Sequence, residues 1–188
     1  MNNLTLTSIT WTLLGCLLIP SLSSCARDTK ETSRDAEIYL IPEGYVGSFY
    51  ILFNIPQGEP QEYEADARVY EIPEDGMLMM QSDPNEGWIQ SNKIDFFFVA
   101  PDGTRTRITE RWTTSLKDTP ENRMDEHVTV FGGGIGVFEP IRHCQITETN
   151  FYVGTKAQAL DGQGFFDLFS ERGVEQIPDE IFLEACTK

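Results

Sequence analysis

Cations are scarce in this sequence: Lys and Arg number 14 against 30 Asp and Glu, there are 2 His, and the formal net charge is −16 over 188 residues. Contact with a phosphate backbone needs clustered Lys and Arg, so nothing here points to a nucleic-acid partner. The same shortage argues against adsorption to an anionic bilayer by charge alone. Long apolar runs are missing too, and none reaches the roughly 18–20 residues that carry a helix across a bilayer. There is no Gly-x-Ser-x-Gly elbow. The run Gly132-Gly133-Gly134-Ile135-Gly136 has neither the Gly-Lys-Ser/Thr ending of a phosphate loop nor the third glycine of a dinucleotide fingerprint. It reads as a turn or a β-bulge. Neither His127 nor His143 has a Ser or Cys nucleophile at a diagnostic spacing. His127 follows Asp125 and Glu126, so an acid-oriented base is conceivable, although a surface histidine in an acidic loop is the commoner case.

What remains suits a packed core, with hydrophobic residues at 40% and aromatics at 11%. The first 24 residues carry no charged side chain, so the whole net charge belongs to residues 25–188. Within the uncharged stretch Leu13-Leu14-Gly15-Cys16-Leu17-Leu18-Ile19 is a short apolar core ended by Pro20, and Leu22-Ser23-Ser24-Cys25 comes after it. A short apolar stretch followed by small residues reads as a secretory signal. The tetrapeptide resembles the lipobox of bacterial lipoproteins, although Met1 to Trp11 lacks the usual Lys or Arg. That resemblance implies cleavage before Cys25, a diacylglyceryl group on its sulfur, and two or three acyl chains, enough for stable anchoring. The expected division is a signal peptide over 1–24, a lipidated Cys25 with a flexible tether over 25–36, and one β-rich domain over 37–188. As a coil, the eleven tether residues Ala26 to Ala36 would span roughly 18 Å.

The cysteines fit that division. If Cys16 leaves with the signal and Cys25 is lipidated, Cys144 and Cys186 remain as a disulfide pair in an oxidising compartment. Two free buried thiols are the alternative. A metal site drawn from His127, His143, Cys144 and Cys186 is a third reading, but these residues lack the Cys-x₂₋₄-Cys or His-x₃₋₅-His spacing of closed zinc sites. No metal and no cofactor is therefore expected.

Along the mature chain, Glu37 to Ile41 reads as a strand stopped by Pro42-Glu43-Gly44. Ser48-Phe49-Tyr50-Ile51-Leu52-Phe53-Asn54-Ile55 is apolar on both faces, which predicts a central strand covered twice. Pro56 to Pro60 breaks the chain, Arg68 to Ile72 forms a third strand, and Met77-Leu78-Met79-Met80 comes after the Pro73 to Gly76 stop. Lys93 to Val99 and Thr104 to Thr109 flank Pro101-Asp102-Gly103, a hairpin signal. Later, Val128 to Phe131 and Ile135 to Phe138 bracket the glycines, and Asn150 to Val153 looks like the last strand. Phe165, Phe166, Leu168 and Phe169 share a side at helical spacing, predicting a helix over Gly164 to Arg172 with Gly173 as its cap. Pro178-Asp179-Glu180-Ile181 starts a second short helix. The sum is a mainly β, β-sandwich-like fold with short C-terminal helices. Tyr39-Leu40-Ile41-Pro42-Glu43-Gly44 is echoed by Tyr70-Glu71-Ile72-Pro73-Glu74-Asp75-Gly76, which is most simply two similar strand ends.

Those two stretches, with Tyr45-Val46-Gly47, Glu86-Gly87-Trp88 and Phe151-Tyr152-Val153-Gly154-Thr155, resemble an uncharacterised family of bacterial lipoprotein domains of unknown function over roughly Ile38 to Lys156. The resemblance implies an envelope-anchored β domain and brings no catalytic residues with it.

Carboxylates are many but scattered: Glu59, Glu62, Glu64 and Asp66; Glu71, Glu74 and Asp75; Asp118, Glu121, Asp125 and Glu126. Loops at Asp83 to Glu86 or Asp118 to Glu126 could offer weak Ca²⁺ ligands, without EF-hand spacing, though a solvated acidic face is simpler. Aromatics offer another route to binding. Trp88, Trp112 and Phe97, which must face opposite to Phe96 and Phe98 in a strand, are candidate contacts for a sugar or a protein. The expected protein is a non-enzymatic lipoprotein of the bacterial cell envelope, held through Cys25 (to the outer membrane if the cell has one). It would bind an envelope protein or glycan, or serve structure. The alternative is a hydrolase of envelope glycans using two carboxylates about 5–10 Å apart.

Overall fold

A computed structural model describes residues 34–86, 91–141, 144–175 and 177. They lie within one contact-defined unit, Glu31–Lys188. The first strands alternate with Pro- and Gly-containing stops, and the chain divides them between two sheets. One has the order β3-β4-β1-β6-β7 and the other β5-β2-β10-β9-β8, five strands each. The strands are β1 (Ala36–Pro42), β2 (Gly47–Leu52), β3 (Glu62–Glu64), β4 (Ala67–Glu71), β5 (Met77–Met79), β6 (Ile94–Val99), β7 (Arg105–Ile108), β8 (Glu110–Trp112), β9 (Thr129–Ile141) and β10 (Cys144–Gly154). Short helices α1 (Pro120–Met124), α2 (Lys156–Leu160) and α3 (Glu171–Val174) complete the described fold. The mainly β, sandwich-like architecture expected from the sequence is what forms. Both sheets are mixed: β1 runs parallel to β4 and β6, β2 to β5, and β8 to β9. Among the described residues no helix is long and apolar enough to cross a membrane.

The internal echo acquires a physical basis. β1 and β4 are parallel neighbours with Tyr39 opposite Tyr70, and the two rings stack at 5.1 Å. Tyr39 also stacks on Phe96 at 4.7 Å and meets the edge of Phe151 at 5.0 Å. This aromatic knot joins sheet to sheet at the centre of the core, with Phe49, Ile51, Tyr70, Ile72 and Val153 around it.

β2 is buried along its whole length. Phe49 and Ile51 point into the intersheet core, while Tyr50 and Leu52 point into a second core with Ile55, Cys144, Ile146, Leu168 and Ile177. The second cover is the segment after α2. The Tyr50 hydroxyl donates to the Phe166 carbonyl at 2.9 Å, and Phe166 N donates to the Ser48 hydroxyl at 3.2 Å. Gly164, at φ 65°, allows this docking, because a Cβ there would lie 2.4 Å from the Val46 carbonyl oxygen.

Several local expectations need correction. Residues 164–170 form turns rather than a helix, and Gly173 lies inside α3 instead of capping one. The reason is competition: backbone groups at Phe166 and Leu168 bond to Ser48 and Tyr50, which leaves Phe165 and Phe169 exposed while Leu168 is buried. The glycine run does not separate two strands. β9 is one strand of 13 residues, and Gly132 and Gly133, at φ 90° and 104°, accommodate a register shift between Asn150 and Phe151 of β10. The stretch expected as a loop over Asp118 to Glu126 contains α1, capped by Thr119, whose hydroxyl accepts from Asn122 N. The hairpin at Pro101-Asp102-Gly103 forms as expected, with β6 and β7 antiparallel. The helix expected from Pro178 lies outside the described residues.

Candidate functional site

Each sheet ends in a strand of three residues on one side, β3 in one and β5 in the other. Beside these two edges lies a groove of about 550 Å³. Its apolar lining is Val69, Ile72, Met77, Leu78, Met79 and Met80, and its acidic lining is Glu59, Glu62, Glu71 and Asp75. The strand period explains the floor. Leu78 and Met80 belong to the intersheet core, whereas Met77 and Met79 pack against the second core, so both cores reach the surface here. The wall formed by Gln57 to Glu59 is held against β5: Glu59 N donates to the Met79 carbonyl at 2.7 Å, and Gln81 N donates to the Glu59 carbonyl at 2.9 Å. Gly58 permits that approach, since a Cβ would lie 2.6 Å from the Met79 carbonyl carbon. Asp75 accepts from Met77 N at 3.0 Å, which fixes its place on the rim.

None of these four groove carboxylates makes an ion pair among the described residues, and five arginines have partners elsewhere. Arg34 binds Glu37 at 2.7 Å, Arg68 binds Asp35 at 3.1 Å, and Arg105 binds Glu64 at 2.6 Å. Arg107 pairs with Asp95, and Arg123 joins Asp118 and Asp161. The Arg111 guanidinium sits over the Phe96 ring at 5.4 Å.

Two further polar clusters are structural in character. Glu37, 2% exposed, accepts from Arg34, from the Tyr39 hydroxyl at 3.0 Å and from Asn85 Nδ2 at 2.9 Å. Buried and saturated with donors, it ties β1 to the Asp83 to Glu86 loop. Burial, and then the Glu37 charge, push the Tyr39 phenol well above its ordinary value. The other cluster surrounds Lys156, the first residue of α2. Its ammonium donates to Asp125, lies 3.9 Å from Glu110, and stands over the Trp112 ring at 4.9 Å. Asp125 also sits 2.8 Å from His127 Nδ1, so the acid-oriented histidine exists as a geometry. Asp125 is nevertheless committed to Lys156, whose hydrogen bond chiefly holds its carboxyl far below the usual range. Among the described residues no three His, Cys, Asp or Glu side chains are placed to hold a metal ion. In the loop considered for Ca²⁺, Asp118 is occupied by Arg123 and Asp125 by Lys156.

The candidate aromatics do not converge. Phe97 is half-buried on the outer face of its sheet, in register with Leu40 and Arg107, as its opposition to Phe96 requires. Trp112 lies half-buried on β8, at the edge of the other sheet, and Trp88 lies outside the described residues. Cys25 and Cys186 also lie outside them. Cys144 is buried and disulfide-bonded.

One buried acid stands apart. Glu148 on β10 is 1% exposed, opposite Leu52 and Gly136, with Asn150 Nδ2 as its donor at 3.1 and 3.3 Å. Burial raises its carboxyl pKa. An acid whose pKa is higher folded than unfolded holds more protons in the native state, so stability falls as pH rises through that window. Replacing Glu148 by Gln is expected to raise stability at pH 7 by about 1 kcal/mol, by removing a poorly compensated buried charge. Urea midpoints at pH 5 and pH 8 should differ less in the variant than in the parent; an equal difference would refute the assignment.

Residues 33–161 match the family described as "Family of unknown function (DUF6843)", and the chain belongs to that family. The match spans β1 to α2 and stops before the segment that covers β2. No curated protein matches the chain. Among solved structures, a crystal structure from Bacillus anthracis named "Putative Lipoprotein" is similar, with a TM-score of 0.51 at 18% identity, covering 81% of this chain and 94% of that one. At that identity the likeness is one of fold.

Proposed function

We propose that the chain is a bacterial envelope lipoprotein whose sandwich binds a partner rather than catalysing a reaction. In this reading Met1 to Ser24 is removed, Cys25 becomes the lipid-bearing first residue, and the tether to the membrane ends before Arg34, because Arg34, Asp35 and Ala36 are bonded into the sandwich rather than free as the 25–36 division expects. The observation that carries it is Leu22-Ser23-Ser24-Cys25, placed after an uncharged apolar stretch and eleven residues before the first strand, β1. The shared fold with a protein bearing the lipoprotein name supports it. With Cys16 removed and Cys25 acylated, Cys186 is left as the partner of Cys144. The groove between β3 and β5 is the site through which binding would occur.

Replacing Cys25 by Ala tests the anchor. The parent should fractionate with membranes and incorporate an alkyne fatty acid, whereas the variant should keep its signal, migrate as a longer chain and carry no label. Labelled variant protein that migrates at the shorter length of the parent would overturn the reading. A glycan hydrolase using the groove carboxylates is the second reading, because four acids do gather there. Among the described residues no aromatic side chain lines the groove for a sugar ring to stack on, which favours binding of another kind. Release of reducing sugar from purified cell-wall glycan would favour the hydrolase instead.

A further inference from the structure

We propose that the groove between β3 and β5 receives an extended, cationic and amphipathic peptide segment of another envelope protein, with Lys or Arg on the acidic rim and apolar side chains on the methionine floor. This rests on the reading of the groove as a binding site and names its ligand class.

Size comes first. About 550 Å³ lies within the range of specific ligand sites and accommodates a few side chains rather than a folded partner. The floor comes next. Met77, Met79 and Met80 are unbranched and polarisable, so they adapt to apolar groups of differing shape. Charge then selects among occupants. Glu59, Glu62, Glu71 and Asp75 are exposed, lack ion-pair partners among the described residues, and share the lining with no Lys, Arg or His. In a concave site with low-dielectric walls such a field is focused and draws in cations. Phosphorylated ligands and anionic headgroups are repelled. A second copy of this chain brings its own net charge of −16 and is repelled as well. Bare divalent cations find no converging set of three ligands among the described residues.

The walls favour a peptide over a small amphiphile. Among the described residues β3 pairs only with β4, so its outer side presents backbone N–H and C=O groups to which an extended chain adds main-chain hydrogen bonds, whereas the outer side of β5 is already met by Glu59. An extended peptide also alternates its side chains, so Lys at every second position meets the rim while the residues between them meet the floor.

The test uses the full-length chain as its host makes it, purified in a nonionic detergent. The probe is a fluorescent synthetic hexapeptide alternating Leu and Lys, compared with its Leu–Glu counterpart and with spermine. The Leu–Lys peptide should bind, and binding should weaken as salt rises. Combining Glu59→Gln, Glu62→Gln, Glu71→Gln and Asp75→Asn should weaken it about tenfold, the combined loss of four partly exposed ion pairs. These side chains are on the surface, so the variant should fold; a matching urea midpoint confirms that. Should it not fold, Glu71→Gln with Asp75→Asn gives the same direction with a smaller loss. Absence of Leu–Lys binding, binding unaffected by the amide substitutions, or equal binding of the Leu–Glu peptide or of spermine each overturns the proposal. Any of these outcomes leaves the Cys25 result unchanged, so failure of the ligand class and failure of the anchor are distinguishable.

Discussion

Replacing Phe96 by Ala is expected to cost about 3–5 kcal/mol of stability, whereas Phe97→Ala should cost about 1 kcal/mol. The two residues are adjacent and chemically identical, and the strand period alone separates them. Phe96 is 1% exposed, stacks on Tyr39 and meets Phe151 at 5.3 Å, while the Arg111 guanidinium covers its ring. Truncation removes an apolar group from water-free packing and opens a cavity between the sheets. Tyr39 cannot move to fill it, because its hydroxyl is held by Glu37 and its ring by Tyr70. Against the usual total of about 5–15 kcal/mol, such a loss brings the sandwich near its unfolding limit. Urea unfolding of both variants checks the contrast; equal losses would contradict the assigned faces of β6.

Reduction of the disulfide at Cys144, or its removal by Cys144→Ala, is expected to cost about 4 kcal/mol with Cys186 as partner, the chain-entropy value for a loop of about 40 residues. The effect should also be local. Cys144 opens β10 and lies in the second core with Leu168 and Ile177, so a bridge to Cys186 would help to hold the covering segment over β2. Without it, amide exchange should quicken at Phe166 and Leu168, whose bonds reach across to Ser48 and Tyr50, more than at β1 or β6. Peptide mapping without reductant should recover Cys144 linked to Cys186. A Cys144–Cys25 peptide would contradict both the bridge and the lipid anchor, since a sulfur in a disulfide cannot carry a thioether.

Much of the fold is legible in the residues because local chemistry agrees with it. The doubly apolar β2 announces its two covers, Pro101-Asp102-Gly103 announces the β6–β7 hairpin, and the paired Tyr-to-Gly stops mark β1 and β4. The helix reading fails because distant residues decide the backbone. Helical spacing at Phe165 to Phe169 is real, but Ser48 and Tyr50, over a hundred residues earlier, capture the backbone that a helix would have used. The glycines of β9 fit a turn or a bulge equally well as a sequence, and a register shift within one continuous strand is what forms. The groove is harder to see. Its acids lie in two scattered groups, near Pro56–Pro60 and Pro73–Gly76, and only the parallel pairing of β5 with β2 and the closure of Glu59 onto Met79 bring them together. The run Met77-Leu78-Met79-Met80 is the visible sign, since three methionines in four residues suit a floor that must adapt.

The proposed lipid attachment at Cys25 would set where this acidic sandwich acts, and the mass of the N-terminal peptide from membrane-extracted protein tests it most directly. The expected peptide begins at Cys25 and carries a diacylglyceryl thioether, with or without a further acyl chain on its amine. A peptide beginning at Met1, or one containing an unmodified Cys25 thiol in the bulk of the cellular protein, would contradict it.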